Sequence, residues 1–354
     1  MHPRVEQLPQ PDPDYRQFLR VVRRQRPDRV PLIELAVHPA VVHALLDEAP
    51  AVLDDPRAEL CAAIRRSVRL HHRLGYDVVK VSATIPFSVP RLFTQHGDAR
   101  AWANEQRGPI STRDDLERFP WPAPRDVDFS PLDAAADVLP NGMALVGFSG
   151  GVLEFAMDLM GMEGLMLATR RDAELVAAVI RRVGETIYAV FAAYCQMDAV
   201  QALWLGDDLG YKTGTLLAPR WLIEHIVPWY RRFAELAHGH GRPFLLHTCG
   251  NTAAIMPELV EAGIDAKHSF EDVIQPVERF IDDWGDRVAV LGGVDVHLLS
   301  VGDEPAIRRR TLEILEHAAP RGGYACGSGN SIPDYVPPEH YLAMIEAVGE
   351  FNRR

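Results

Sequence analysis

Short apolar runs alternate with longer amphipathic stretches along most of this chain. We count eight runs rich in β-branched and aromatic residues, each followed by a segment with helical spacing of its apolar positions. The runs are 30–35, 77–82, 143–148, 202–205, 243–247, 265–269, 288–292 and 324–327. This alternation predicts parallel βαβ units, and eight strands are the number that closes a (β/α)8 TIM barrel without a free edge.

The segments between the runs carry helix start and stop signals. We predict helices over 57–74, 152–169, 172–196, 220–237, 253–262, 276–284, 304–318 and 339–351. Asp172 and Asp303 are suited to cap the helices that follow them, and Gly75 and Gly263 come directly after predicted helix ends. Helices and strands follow one another within a few residues, so we predict no linker inside the barrel.

One connection is much longer than the others. Residues 84–141, between the second and third predicted strands, are rich in proline and contain Trp102 and Trp121. An insertion of this length either covers the mouth of the barrel or only packs on its edge. We therefore predict a single barrel domain over 30–354, preceded by an N-terminal extension over 1–29, whose first 14 residues contain four prolines and are expected to attach loosely.

Charge and cysteine content limit the classes of partner and the type of cross-linking that we expect. The chain has 37 basic and 49 acidic residues, a formal charge of −12, which gives no electrostatic reason to expect nucleic acid or an anionic membrane as partner. Its four cysteines are too few for a disulfide framework in 354 residues. We expect a cytoplasmic enzyme with a small-molecule substrate, as a monomer or homodimer.

Candidate chemistry gathers where the predicted strands end. In such barrels the catalytic groups lie at the carboxyl ends of the strands, where the loops converge. His247 and Cys249 end the fifth strand two residues apart, and Cys326 lies in the eighth. An imidazole and two thiolates suit Zn²⁺, and Glu271, after the sixth strand, is the candidate fourth ligand. The alternative is that the cysteines are buried fillers and the histidine a hydrogen-bonded strand end.

Other polar residues at the same end are candidates with less specific signals. Asp208 and Glu34 are candidate catalytic groups that orient substrate or accept a proton, although rim carboxylates also serve solvation or packing. Asn251, Ser328 and Asn330 are candidates for binding a cofactor or supporting the metal ligands, although turn formation suits them equally.

Several of these motifs resemble a known family. The segments PDRVPLIEL, LWLGDDLG, HTCGNT, HSFED, WGDRVAVLGGVDVHLL and GGYACGSGNSIPDYVPPEHYLAM resemble the uroporphyrinogen decarboxylase superfamily, over essentially the whole chain and most densely from Leu205 onward. The resemblance implies a (β/α)8 barrel. It also implies one of two activities: metal-free decarboxylation, or zinc-dependent methyl transfer of the corrinoid-linked methylcobalamin:coenzyme M type.

The site residues favour the methyltransferase branch. That branch carries a His-x-Cys…Cys signature, matched here by His247, Cys249 and Cys326, and Glu271 resembles a glutamate of cobalamin-independent methionine synthase. The arginine-rich segment of the decarboxylases is replaced by IELAVHPA. We expect a zinc-dependent methyltransferase that moves a methyl group between a corrinoid or methoxylated donor and a thiol or related acceptor, with a corrinoid protein as candidate partner. A metal-free decarboxylase of a small acid or tetrapyrrole-like substrate, or a non-catalytic corrinoid carrier, is the alternative.

Overall fold

Seven parallel strands curl into a barrel wall at the centre of the protein. The computed structural model describes residues 1–49, 53–87, 91–92, 102–103 and 108–354, with only the backbone of 91–92 and 102–103. Its strands are β1 Val78–Ser82, β2 Arg91–Leu92, β3 Trp102–Ala103, β4 Ala144–Gly150, β5 Val200–Gly206, β6 Gly210–Tyr211, β7 Gly214–Thr215, β8 Phe244–His247, β9 Ala266–His268, β10 Ala289–Leu291 and β11 Tyr324–Ala325.

The order of strands in the wall follows the chain. The sheet runs β1-β4-β5-β8-β9-β10-β11, and every neighbouring pair in it is parallel. The first predicted run supplies an eighth position, because Leu32 forms a parallel bridge with Cys326 and the Ile33 N–H donates to the Cys326 carbonyl at 2.9 Å. The prediction of a TIM-barrel-like α/β fold is confirmed.

Side chains of the wall alternate between two apolar environments. Val78, Trp204, Leu245 and Ala325 belong to the cluster that fills the lumen of the barrel. Their neighbours in sequence belong to a second cluster between the sheet and the helices. Because both sides of each strand are buried, a polar side chain at a strand end faces either the lumen or the helices according to its position in this alternation.

Helices surround the wall. They are α1 Pro3–Gln7, α2 Tyr15–Val22, α3 Pro39–Leu46, α4 Pro56–Arg73, α5 Arg113–Arg118, α6 Ser130–Ala136, α7 Val152–Met160, α8 Met162–Arg171, α9 Ala173–Tyr194, α10 Pro219–His225, α11 Val227–Gly239, α12 Met256–Glu261, α13 Val277–Trp284, α14 Val296–Val301, α15 Glu304–Ala318 and α16 Pro338–Phe351. The predicted helix 152–169 is two helices, because Gly161 has a φ of 74° between them. Asp172 and Asp303 cap α9 and α15, as predicted.

The N-terminal residues pack against the barrel, in contrast to the loose attachment expected from their prolines. Val5 in α1 is fully buried, and Arg4 forms ion pairs with Glu304 and Glu346 at 2.9 and 2.8 Å. Helix α2 inserts Phe18 into the lumen cluster beside residues from the beginnings of the strands. The barrel is therefore closed at the end opposite its mouth.

The long connection after β1 is described only in part. Residues 88–90, 93–101 and 104–107 lie outside the described residues, as does the side chain of Trp102. The described part forms α5 and α6, and α6 packs against α4. Trp121 donates its indole N–H to the Leu116 carbonyl at 3.1 Å. Within the described chain, we find no helix with the length and apolar character needed to cross a membrane.

Candidate metal centre

Three potential metal ligands converge at the mouth of the barrel. Among the described residues, Asp208, His247 and Cys249 form a group whose ligand atoms all lie within 4.8 Å of one another. Nε2 of His247 is 3.4 Å from Sγ of Cys249 and 3.7 Å from Oδ1 of Asp208. Ligands of a tetrahedral Zn²⁺ are separated by roughly 3.3 to 3.6 Å, given its bond lengths to nitrogen, oxygen and sulfur. The spacing of the three side chains therefore suits zinc.

The register of neighbouring strands brings these residues together. Gly206 pairs with His247, so Asp208 and Cys249 both lie two residues further along, on adjacent loops. The Cys249 N–H donates to Oδ1 of Asp208 at 2.9 Å. The two loops touch backbone to backbone: Gly250 has a φ of 76°, and a Cβ there would lie 2.2 Å from the carbonyl carbon of Gly210. Glycine at these positions thus allows the close approach on which the cluster depends.

The protonation states of the cluster favour a bound cation. Burial, together with the negative charge of Asp208, raises the pKa of Cys249 to about 12. Burial holds the pKa of His247 well below its ordinary value. His247 is therefore neutral, with a lone pair available, and a divalent cation would convert the Cys249 thiol to a thiolate. Nδ2 of Asn330 and Oγ of Ser269 donate to the same sulfur at 3.3 and 3.6 Å.

A hydrogen-bonded pair of histidines fixes the tautomer of His247. Its Nδ1 lies 2.7 Å from Nδ1 of His268, and Nε2 of His268 lies 3.3 Å from the Ser328 carbonyl. A carbonyl only accepts, so His268 carries its proton on Nε2 and accepts at Nδ1. His247 therefore donates from Nδ1 and keeps the lone pair of Nε2 facing Asp208 and Cys249. This orientation is the one that a metal-binding histidine requires.

Two predicted site residues lie on the other side of the wall. Ala325 belongs to the lumen cluster, so Cys326 faces the helices, where it is fully buried. Glu34 is buried in the same layer and accepts hydrogen bonds from the N–H and hydroxyl of Ser328 at 2.8 and 2.6 Å. The structure therefore does not bring Cys326 or Glu34 to the metal cluster.

Of the remaining predicted residues, some contact the metal cluster and others do not. Asn330 contacts Cys249, whereas Glu271 lies on the loop after β9 and is not part of the group of ligand atoms. Oδ1 of Asn251 accepts from the Ala253 N–H at 3.1 Å, which is a turn-forming role. Ser328 acts through its hydrogen bonds to Glu34 and His268.

The sequence places His268 and Ser269 at the end of the sixth predicted strand but gives them no role, and it assigns Asp208 to catalysis only. His268 pairs in register with His247 on the neighbouring strand, which is the signal that could have revealed it. Ser269 has a φ of 120°, a strained conformation for a non-glycine residue, and its hydroxyl reaches Cys249. No pattern in the sequence predicts that backbone conformation.

Comparison with known proteins gives the family. The Uroporphyrinogen decarboxylase (URO-D) family matches residues 14–351. A uroporphyrinogen decarboxylase from Anaeromyxobacter dehalogenans is 26% identical over 95% of this chain and 98% of its own length. A methylated-thiol–coenzyme M methyltransferase from Methanosarcina mazei is 28% identical over 55% of this chain and 50% of its own length.

A solved structure shows the same fold. A methyltransferase from Methanosarcina mazei superposes with a TM-score of 0.72 and 18% identity, covering 95% of this chain and 98% of that one. Proteins named for both activities are therefore similar in sequence to this chain. The match over 14–351 shows that the chain belongs to the uroporphyrinogen decarboxylase family.

Proposed function

We propose that the protein is a zinc-dependent methyltransferase that moves a methyl group from a corrinoid or methoxylated donor to a thiol or related acceptor. The observation that carries this proposal is the cluster of imidazole, thiol and carboxylate at the barrel mouth, with all ligand atoms within 4.8 Å. The name of the Methanosarcina mazei relative, a methylated-thiol–coenzyme M methyltransferase, supports the reaction class.

In this proposal Asp208, His247 and Cys249 hold the zinc ion. We leave Cys326 out of the ligand set because it faces the helices, and Glu271 because its carboxylate is outside the group. Three protein ligands leave a fourth position for substrate, as in catalytic zinc sites. When bound, zinc lowers the pKa of a coordinated thiol, so that a nucleophilic thiolate exists at neutral pH.

The protein's own groups position the reactants. His268 holds the imidazole of His247 in the orientation that presents Nε2, and Asn330 and Ser269 hold the sulfur of Cys249. The side chain of Asp208 is 38% exposed, so it is the group of the cluster that an incoming thiol meets first. Its carboxylate is the candidate acceptor for the thiol proton. A corrinoid protein at the open mouth is the candidate methyl donor.

Elemental analysis of protein purified without chelator tests the proposal. We expect a single zinc ion per chain, lost in Cys249→Ser and retained in the matched control Cys61→Ser, whose thiol is half-buried on α4. Methyl transfer from methylcobalamin to a small thiol, followed by the absorbance change of the cobalamin, should be lost with the zinc. A zinc content far below one per chain, or transfer that survives complete chelation, would remove this function.

The alternative is metal-free decarboxylation of a small acid or tetrapyrrole-like substrate, with Asp208 as the proton-handling group. The name of the Anaeromyxobacter dehalogenans relative supports it. The segment IELAVHPA after the first strand, which has no arginine, argues against a porphyrinogen with many carboxylates. Release of CO2 by zinc-free protein from a candidate acid would favour this alternative over methyl transfer.

A further inference from the structure

A buried lysine on the strand next to that of His247 has no role in the function proposed above. Lys267 is in β9, and its neighbour Ala266 belongs to the lumen cluster, so Lys267 faces the helices. Its Nζ lies 4.4 Å from the centre of the Phe270 ring and 5.4 Å from that of Phe280. Burial lowers its pKa to about 8, so it is still an ammonium at neutral pH. A buried ammonium requires an acceptor for its N–H groups.

The acceptor is a strained part of the backbone. The ammonium of Lys267 donates to the carbonyl of Ser269 at 2.7 Å, and Ser269 has a φ of 120° directly after the end of β9. Side chains two residues apart along a strand point to the same side, so an extended Ser269 would follow Lys267 towards the helices. The positive φ breaks that pattern, and the hydroxyl of Ser269 reaches Sγ of Cys249 at the barrel mouth, at 3.6 Å.

The peptide group that follows Ser269 is held at both of its polar atoms. Lys267 binds its carbonyl oxygen, and its N–H, which belongs to Phe270, donates to the Gly329 carbonyl at 2.9 Å. A non-glycine residue with a φ of this kind persists only where its surroundings hold it in place. Of the two contacts, the one with Lys267 is supplied by a side chain, so a substitution can remove it.

This peptide group connects Lys267 to a proposed metal ligand. The sulfur of Cys249 accepts from the hydroxyl of Ser269 and from Nδ2 of Asn330, at 3.6 and 3.3 Å. Groups that hydrogen-bond to a metal ligand orient it and commonly change metal affinity by about 10- to 100-fold. A residue that keeps Ser269 in place therefore acts on the metal centre without touching the metal.

We propose that Lys267 is a positioning residue of the metal centre: it binds the Ser269 carbonyl and so keeps Ser269 in the strained conformation that aims its hydroxyl at the sulfur of Cys249. Without this contact, Ser269 relaxes towards an extended conformation and its hydroxyl leaves the sulfur. The effect on zinc binding rests on the proposed function. The link between Lys267 and the Ser269 backbone stands on their hydrogen bond alone.

A double-mutant cycle on zinc affinity tests the proposal. Lys267→Met and Ser269→Ala should each weaken zinc binding by about tenfold, as the loss of a hydrogen-bond partner of a metal ligand does. Because both remove the same hydrogen bond, Lys267→Met should change the affinity by less than about twofold in the Ser269→Ala background. Competition with a chromophoric chelator measures these affinities. Lys212→Met removes an exposed lysine and is the control, with unchanged affinity.

A measurement on chelator-treated protein separates this inference from the zinc proposal. The three-bond coupling between the amide and α protons of Ser269 is small at a φ of 120° and large in an extended strand. Lys267→Met should increase this coupling, and Lys212→Met should not. Lys267→Arg keeps a cationic donor and should keep the small coupling, so that the change in Lys267→Met reports the lost hydrogen bond rather than misfolding.

Two results would overturn the positioning role. One is an additive loss of zinc affinity in the double mutant, which would show that Lys267 does not act through Ser269. The other is a Ser269 coupling that is the same in wild type and in Lys267→Met. If the wild type bound no zinc, the proposed function would fail, and the coupling would still decide whether Lys267 holds Ser269.

Discussion

Two groups of polar residues, on opposite sides of the same barrel wall, both contain a carboxyl group and a thiol. The mouth cluster is Asp208, His247 and Cys249. The wall pocket is Glu34 and Cys326, with Tyr76, Tyr324 and Tyr341 around them. Each combines a carboxyl and a thiol near strand ends, and burial raises the pKa of both cysteines to about 12. Only the mouth cluster is open to solvent, since Asp208 is 38% exposed and Cys326 is fully buried.

The two groups differ in whether their polar atoms already have hydrogen-bond partners within the protein. In the wall pocket, both oxygens of Glu34 contact Ser328, and the Ser328 hydroxyl lies 3.1 Å from the Asn330 carbonyl. In the mouth cluster the side chains point at one another and bring together an imidazole lone pair, a thiol and a carboxylate. In the first arrangement both oxygens of Glu34 already have a hydrogen-bond partner, whereas the second becomes electrostatically favourable when a cation joins it. The same residue types thus lead to structure in one place and to candidate chemistry in the other.

Exchanging the two cysteines for alanine gives the largest expected contrast. Cys249→Ala should weaken zinc binding by about a thousandfold or more, because one of three protein ligands is lost. Cys326→Ala should leave zinc affinity within about threefold and instead lower the free energy of unfolding by about 1 kcal/mol, as a small core truncation does. Competition with a chromophoric chelator and denaturant unfolding measure the two quantities. Equal zinc loss in both variants would place Cys326 in the site after all.

The next largest effect is expected at His268. His268→Ala should lower zinc affinity by about 10- to 100-fold, because His247 loses the acceptor that fixes its tautomer. The nitrogen-15 shifts of His247 in metal-free protein should then show both tautomers, which a purely structural role would not produce. His268→Gln keeps an acceptor near Nδ1 and should recover part of the affinity. If His247 kept a single, unchanged tautomer in His268→Ala, His268 would not be the group that fixes that tautomer.

Glu34 should make the free energy of unfolding of the protein depend on pH. Burial raises its pKa from 4.5 to about 8, so the folded state binds a proton that the unfolded state releases between these values. The stabilisation is therefore fully present below about pH 4.5 and is lost as the pH rises towards 8. Glu34→Gln mimics the protonated acid. The free energy of unfolding of Glu34→Gln minus that of wild type should therefore increase between pH 5 and pH 9. The increase should exceed about 1.4 kcal/mol, the equivalent of one pKa unit. A constant difference across this range would show that Glu34 is ionised throughout.

Asn330 is expected to have the smallest effect. Asn330→Ala removes one hydrogen bond to the sulfur of Cys249, so zinc affinity should fall by less than about tenfold, in keeping with a single bond of about 1 kcal/mol. Asn251→Ala is the matched control and should not change zinc affinity, since that side chain accepts from the Ala253 N–H within its own turn. A hundredfold loss in Asn330→Ala would indicate that the amide is itself a metal ligand.

Local sequence signals were sufficient for the architecture. The eight apolar runs coincide with the seven strands and the Leu32 bridge, and Asp172 and Asp303 cap the helices that they were expected to cap. These features depend on residues close in the chain, whose spacing is visible in the sequence. The packing of α1 was not predictable in this way, because Arg4 is held by Glu304 and Glu346, which lie 300 and 342 residues away.

The sequence by itself determined that His247 and Cys249 face the same way at a strand end, because side chains two residues apart along a strand point to the same side. Only the tertiary structure decided that Asp208 joins them while Cys326 and Glu34 face the helices. In a parallel barrel both faces of a strand are buried and apolar, so no hydrophobic alternation marks which face is the lumen. That choice depends on how each strand is set against its neighbours, which is settled only when the whole barrel closes.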